Sequence, residues 1–441
     1  MPFSNEDSDS MVCEEAHLRD FKPVPPQTLQ ETGLNEILIE DLILKWLFSN
    51  GVMSGRAVAS TLCLPFSLLK PILADLKNRI LVEHKSTTGV GDFLYALTDL
   101  GREKGLVAME YSAYVGPAPV PMDAYLTSVE AQSIRNEQPG EAELLQAFSD
   151  LLLPSSVFEI LGPAVNSGRG LFLYGAPGNG KTSIAERICR CFGDVIYLPK
   201  ALLTDGQLIK LYDPQCHQAI ETQTESLLPS YDQRWVLVQR PVVMVGGELT
   251  MESLEIKFNP ILKISEAPLQ LKANCGVFLI DDFGRQRISH EELLNRWIVP
   301  LEKRVDYLSL PNGKKIEVPF DELIIFSTNL DPAQLVDDAF LRRIPYKIHV
   351  ADPEESAFKA LMRFMAPRYG IIFNEDAFEH LVAAHYRGRR PYRACQARDL
   401  LEQIVNAAAY ARTEPLMTPQ SLDGACRNYF AAMSNLPDER V

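Results

Sequence analysis

Positive charge is in short supply in this chain: 43 Lys and Arg face 58 Asp and Glu, a formal net charge of -15. That balance argues against broad, unspecific adhesion to nucleic acid. A local basic patch stays open, because screening confines each charge to about 8 Å at physiological salt. Long apolar runs are also lacking. No stretch approaches the roughly 20 residues that span a bilayer, and no basic region followed by an apolar run opens the chain, so neither a membrane span nor a signal peptide is expected. The eight cysteines are scattered. Only Cys189 and Cys191 lie close together, and no second pair sits at zinc spacing. Their place on a helical segment marks them as core thiols, and a reduced, cytoplasmic setting is expected.

What is present is an ordinary globular composition, 46% hydrophobic and 23% charged over 441 residues, enough for two or three domains. Residues 1–34 are acidic, rich in Ser and Pro and without periodicity, and read as a disordered leader. Over 35–111, Ile37, Leu38, Leu42, Ile43, Trp46 and Leu47 recur at helical spacing. Ser54 caps a second helix, and Phe66, Leu69, Ile72, Leu73 and Leu76 mark a third. A strand at Leu81–His84, a tip containing Gly89 and Gly91, a return strand at Phe93–Leu97 and a helix from Thr98 complete a small α+β unit that resembles winged-helix domains. Residues 112–140 open on a Pro/Gly/Ala-rich run and read as a linker. In 141–351 strands and helices alternate, which predicts a parallel α/β sheet with crossover helices. Residues 352–441 read as a bundle of four helices. No internal repeat is found.

The strongest local signal is Gly175-Ala-Pro177-Gly178-Asn179-Gly180-Lys181-Thr182, followed by Ser183. It follows the apolar strand Leu171–Tyr174 and opens a helix, the context a phosphate-binding loop requires. Glycines let backbone N–H groups turn towards phosphates, the helix N-terminus adds favourable potential, Lys181 reaches the β and γ phosphates, and the Thr182 hydroxyl suits magnesium. Further on, the buried strand Val277–Ile280 ends in Asp281-Asp282, where Asp281 is placed to hold the metal and Asp282 to polarise a water. A third apolar strand, Leu323–Thr328, ends in Asn329, suited to orienting that water. Arg342 and Arg343 stand adjacent at a helix end that does not face their own loop. They suit a finger into a neighbouring subunit's site. Arg398 opens an apolar helix near the C-terminus, with Arg389, Arg390 and Arg393 close by, and is placed to contact the phosphates from a lid.

This ordered set resembles the AAA+ branch of the P-loop ATPases, from about residue 150 to 432. The resemblance implies an ATP- and Mg2+-binding α/β domain carrying a C-terminal helical lid. Walker A covers Gly175 to Thr182, Walker B ends in Asp281 and Asp282, sensor 1 is Asn329, the arginine fingers are Arg342 and Arg343, and sensor 2 is Arg398. It also implies a homo-oligomeric ring, usually a hexamer. Leu153 to Pro163 resembles the segment that cups adenine. Two departures stand out. Walker B ends in Asp-Asp where most relatives have Asp-Glu. The long gap before it contains Arg234–Glu248, which reads as a strand pair. With a second hairpin expected around Asn312-Gly313, these insertions resemble the MoxR-like and magnesium-chelatase branch, while the double finger resembles the remodelling branch.

ATP hydrolysis coupled to remodelling of a protein client is therefore the leading expectation. The alternatives are a DNA-associated ATPase tethered by the winged helix, and an ATP-dependent assembly switch with little turnover. The third helix of the N-terminal unit is mostly apolar in its first turns, which suits protein docking better than base reading.

Overall fold

The computed structural model describes residues 21–88, 91–193, 195–220, 231–335 and 338–431. Most of the expected leader, Gly89 of the hairpin tip, Asp337 beside the fingers and the last ten residues lie outside the described residues. No helix among the described residues is long and apolar enough to cross a membrane.

Five short strands form the central sheet, all parallel. In chain order they are Leu171–Tyr174, Val242–Val245, Val277–Ile280, Leu323–Thr328 and Tyr346–His349. Their spatial order is second, third, fourth, first, fifth. The strands are almost uniformly apolar because both faces are covered. Leu171, Leu173, Val277, Leu279, Leu323 and Ile325 pack on one side. Phe172, Phe278, Phe326 and Trp297 pack on the other. The first strand lies between the fourth and the fifth, with Leu171 opposite both Ile325 and Tyr346. The order thus reverses beside the phosphate loop, and at such a switch point the carboxyl ends of parallel strands leave a crevice for a ligand.

The stretch Arg234–Glu248 departs from the hairpin expected there. Trp235–Gln239 and Val242–Val245 are both strands, but they do not pair with each other. The former runs antiparallel to Val195–Pro199, and the latter is the edge strand of the central sheet beside Val277–Ile280. Alternating apolar residues on either side of Arg240-Pro241 read alike in a hairpin or across two sheets. Only long-range partners decide, and Pro241 removes a donor at the point of divergence. The hairpin in this region lies earlier, at Ala201–Thr204 and Gln207–Lys210. Its turn, Asp205-Gly206, has both residues at positive φ, the geometry Asp-Gly favours in two-residue hairpins. The likeness to the MoxR-like branch thus loses one of the two hairpins that carried it.

The second expected hairpin is present, Val305–Ser309 against Lys315–Pro319, with Gly313 at φ 81 in its turn. Its inward residues Leu308, Leu310, Ile316 and Val318 are buried against the inserted strands. Pro311, Asn312, Gly313 and Lys314 are exposed. Lys314 Nζ lies 3.4 Å from Asp205 Oδ1, so the two turns share one edge of the molecule.

The N-terminal unit holds helices Glu36–Asn50, Gly55–Leu62, Phe66–Asn78 and Asp99–Tyr111 around a three-stranded antiparallel sheet of Met53–Ser54, Val82–Thr87 and Phe93–Leu97. It is not loosely attached. Tyr114 and Ala118 are buried in its core, and Val120–Pro121 joins the inserted sheet beside Leu202 and Leu203. Arg234 donates to Thr32 O at 2.8 Å and Pro119 O at 3.3 Å. The Pro/Gly/Ala-rich run expected to be a linker is therefore a packed, extended seam. Proline there fixes an extended backbone, which a docked seam and a free linker both tolerate.

Asp321 and Glu322 lead into the fourth strand and are 2% and 1% exposed. Asp321 Oδ1 accepts from Ser133 Oγ at 2.7 Å and Arg135 Nε at 2.9 Å. Neither carboxyl oxygen of Glu322 has a partner among the described residues. Burial, and then the neighbouring Asp321 charge, push the Glu322 carboxyl well above its ordinary value of 4.5. A raised folded pKa means that the folded chain holds this proton more tightly than the unfolded one. Its contribution to stability is full below about pH 4.5 and is lost as pH rises towards the folded pKa. Glu322→Gln carries no such proton. Urea unfolding of both chains should show the variant gaining on wild type steadily above that pH, and parallel curves would overturn this account.

Candidate functional site

The turns of the glycine-rich loop at Gly175 and Gly178 have backbone reasons. Gly175 sits at φ 139, and a Cβ there would lie 2.4 Å from Val350 O at the end of the fifth strand. Gly178 sits at φ 84, and its Cβ would lie 2.5 Å from Cys395 Sγ. Side chains are excluded at both places by positive φ and by close approach. After Gly180 the chain enters the helix Lys181–Ile188, packed on the sheet through Ile184, Ala185 and Ile188. Pro177 is exposed at the crest of the loop, and Ser183 is half-buried in the first turn of the helix.

Lys181 is 7% exposed. Its Nζ donates to Gly175 O at 2.9 Å, Ala176 O at 3.1 Å and Asn329 Oδ1 at 2.8 Å. Burial pushes its pKa down, Asp281 and Asp282 act to raise it, and the Arg393 charge adds to the lowering. Thr182 Oγ1 donates to Asp281 Oδ2 at 2.9 Å. Asn329 Nδ2 donates to Asp282 Oδ1 at 3.1 Å. The carboxyl ends of the first, third and fourth strands thus bring together Lys181, Thr182, Asp281, Asp282 and Asn329, five of the residues expected from sequence. Thr182 and Asp281 supply only oxygen donors, the set a magnesium ion takes alongside phosphates and water. Asp282 is exposed and held at φ 49. Gln286 Nε2 pins the turn by donating to Asp281 O at 3.0 Å and Asp282 O at 3.1 Å. A non-glycine residue in the left-handed region costs about 1–2 kcal/mol, which the fold accepts here in directing the Asp282 carboxylate to Asn329.

Arg342 and Arg343 lie elsewhere. They precede the fifth strand, whose Tyr346 pairs with Leu171, so they stand at the amino edge of the sheet while the phosphate loop follows its carboxyl edge. Four strand residues, roughly 13 Å, separate the two edges. The pair lines a cleft of about 550 Å³ with Arg169, Leu301, Glu302 and Arg304. Arg342 is exposed, and Arg343 Nε donates to Glu302 Oε1 at 2.7 Å.

The arginine at the loop is not the expected one. Arg398 is exposed and pairs with its neighbour Asp399 at 2.8 Å. Arg393 instead caps the helix Ala394–Ala411, bonds Asp352 and acts on Lys181. The same helix start grips the loop through Cys395 N to Gly178 O at 2.8 Å and Ala394 N to Asn179 Oδ1 at 3.2 Å. Asn179 Nδ2 also donates to Asp352 Oδ1 at 2.7 Å. Arg389, Arg390, Arg393 and Arg398 share one short segment, and composition alone could not rank them. Asp352 carried no sequence signal beyond its place at the end of the strands. Cys189 and Cys191 are buried, and burial pushes the Cys191 thiol up to about 12, which keeps it protonated and unreactive.

Residues 354–428 match a protein-family profile described as a domain of unknown function (DUF8689). No curated protein matches the chain. Among solved structures, the chain is similar to NtrX from Brucella abortus in complex with ATP, at 16% identity and TM-score 0.39 over 68% of this chain and 60% of that one. The same protein in complex with ADP gives 17% identity and 0.40 over 77% and 67%. A RuvB point mutant from Thermotoga maritima gives 13% identity and 0.36 over 68% and 73%. The chain spans 60% of the length of the first of these. Superpositions this loose fix neither an activity nor an assembly. What the site's own geometry displays is a parallel α/β sheet with a glycine-rich loop, a buried lysine and the hydrogen-bonded Thr182–Asp281 oxygen pair at its switch point.

Proposed function

We propose that the chain is an ATPase of the AAA+ type that binds ATP with Mg2+ and hydrolyses it in a homo-oligomeric ring, coupling turnover to remodelling of a protein client. One observation carries the reading: Lys181, the Thr182–Asp281 pair and the Asp282–Asn329 pair meet at the sheet's switch point. Lys181 and the loop N–H groups of 175–183 bind the β and γ phosphates. Thr182 and Asp281 would hold the metal, which would supply positive charge to offset that on the transferring phosphoryl group. Asp282 takes a proton from the attacking water and Asn329 orients it. The helix that starts at Arg393 acts as the lid, resting on Gly178 and Asn179, and Arg398 joins it when nucleotide draws it in. Arg342 and Arg343 face away from their own loop and complete the site of the next protomer.

The N-terminal unit, a winged helix in this reading, serves as a protein-docking module. Its Phe66–Asn78 helix exposes Lys70 and Lys77 beside Asp75, and Arg79 is held by Glu40 and Asp75. The exposed turns at Asp205-Gly206 and Pro311–Lys314 share one edge suited to gripping a client.

The test is capture by an Asp282→Asn chain held in its ATP state, with Lys181→Ala as the control. Protein should be retained with ATP, lost in the control, and lost when Pro311–Gly313 is shortened to a minimal turn. Retention of DNA would favour the DNA-associated reading, and retention of nothing would favour the assembly switch.

A further inference from the structure

The four-helix C-terminal unit carries a constellation that ATP chemistry does not use. The helix Glu375–Leu381 does not simply end: it runs into a π-helical turn, Val382–Tyr386. His380 and His385 are five residues apart. On a regular α-helix that spacing puts side chains about 140° apart, on different faces. The wider π turn brings i and i+5 towards one face, and such turns are retained frequently at functional sites. Here both imidazoles present the same atom to one acceptor: His380 Nε2 lies 2.9 Å and His385 Nε2 2.6 Å from Asp423 Oδ1, on the helix Pro419–Phe430. The three potential ligand atoms all lie within 4.8 Å of one another. The side chains are partly exposed, at 38%, 21% and 40%, so an ion can enter from solvent.

We propose that His380, His385 and Asp423 form a binding site for a divalent ion of the zinc class, distinct from the magnesium position at the phosphate loop. Two imidazole nitrogens and one carboxylate oxygen are a three-ligand set that leaves a tetrahedral ion one position for water. Nitrogen donors select a borderline transition metal over magnesium, which prefers oxygen. Zinc bonds of about 2.0–2.2 Å hold ligand atoms about 3.3 Å apart. The present contacts therefore open by roughly half an ångström, which side-chain rotation supplies. Binding ties the π turn to the Pro419–Phe430 helix. That helix packs on Ala394–Ala411, whose first turn rests on Gly178. The ion thus stiffens the body that presses on the phosphate loop.

The probe is Co2+ added to the full chain after chelator treatment, followed by Zn2+ displacement. The expected result is one equivalent with the visible absorption of a nitrogen–oxygen site, a chelator-reversible rise in melting temperature, and loss of both in His385→Gln and in Asp423→Asn. His380→Gln, at the more exposed of the two imidazoles, serves if either variant fails to fold. No cobalt absorption in wild type, a sulfur-to-metal charge-transfer band, or unchanged uptake in folded variants would overturn the site.

Discussion

On the proposed trans geometry, replacing Arg342 and Arg343 by alanine should lower ATP turnover by about 10³- to 10⁵-fold, the usual worth of a trans-acting arginine, or about 4–7 kcal/mol of barrier. ATP affinity changes little, because both side chains lie at the amino edge of the sheet, away from their own loop. The Arg343–Glu302 ion pair is part-exposed on the arginine side and half-exposed on the glutamate side, and such surface pairs contribute at most about 1 kcal/mol to stability. Two measurements check the trans geometry. Wild-type specific activity should rise with protein concentration as the ring assembles. Mixing the double-alanine chain with Lys181→Ala should restore part of the activity, since a mixed interface pairs an intact loop with intact fingers. A double variant as active as wild type, or mixtures no better than either parent, would leave a nucleotide binder that works alone.

Lys181→Ala should weaken ATP binding by about 10²- to 10⁴-fold, since hydrogen bonds to charged groups contribute about 1.5–3 kcal/mol each and this ammonium would serve two phosphates. Its position is prepared in advance: three oxygens hold Nζ in place, so little ordering remains when phosphate arrives. Asp281→Asn separates the metal from the lysine. It should leave metal-free ATP binding near wild type while removing the gain in affinity that Mg2+ brings. Titration of a fluorescent ATP analogue with and without Mg2+ reads both effects. Equal affinities in Lys181→Ala and wild type would remove the phosphate loop from the site, and with it the proposed ATPase.

Asp281 and Asn329 were legible because each follows a continuous apolar run. A buried parallel strand announces itself by composition, and the polar residue that ends it falls at the carboxyl edge. Asp281 after Val277–Ile280 and Asn329 after Leu323–Thr328 both follow this rule. The stretch Arg234–Glu248 defeated the same logic, because alternating apolar residues specify a strand and say nothing of its partner. The Asp205-Gly206 turn, by contrast, carries a local signal in the sequence itself. Arg393 was not locally legible: its closeness to Lys181 depends on where the C-terminal helices settle on the loop, more than 200 residues away in sequence.

The sequence by itself determined the glycine-rich loop after Leu171–Tyr174, the strands that end in Asp281 and Asn329, and the Asn312-Gly313 hairpin. Each is encoded within a dozen residues, where backbone sterics and burial act locally. Only the tertiary structure decided which strands pair, that the proline-rich seam is packed, that Arg393 lies against the loop, and that a π turn brings His380 and His385 to Asp423. Each of those depends on surfaces meeting across long separations, and no short-range pattern carries that information.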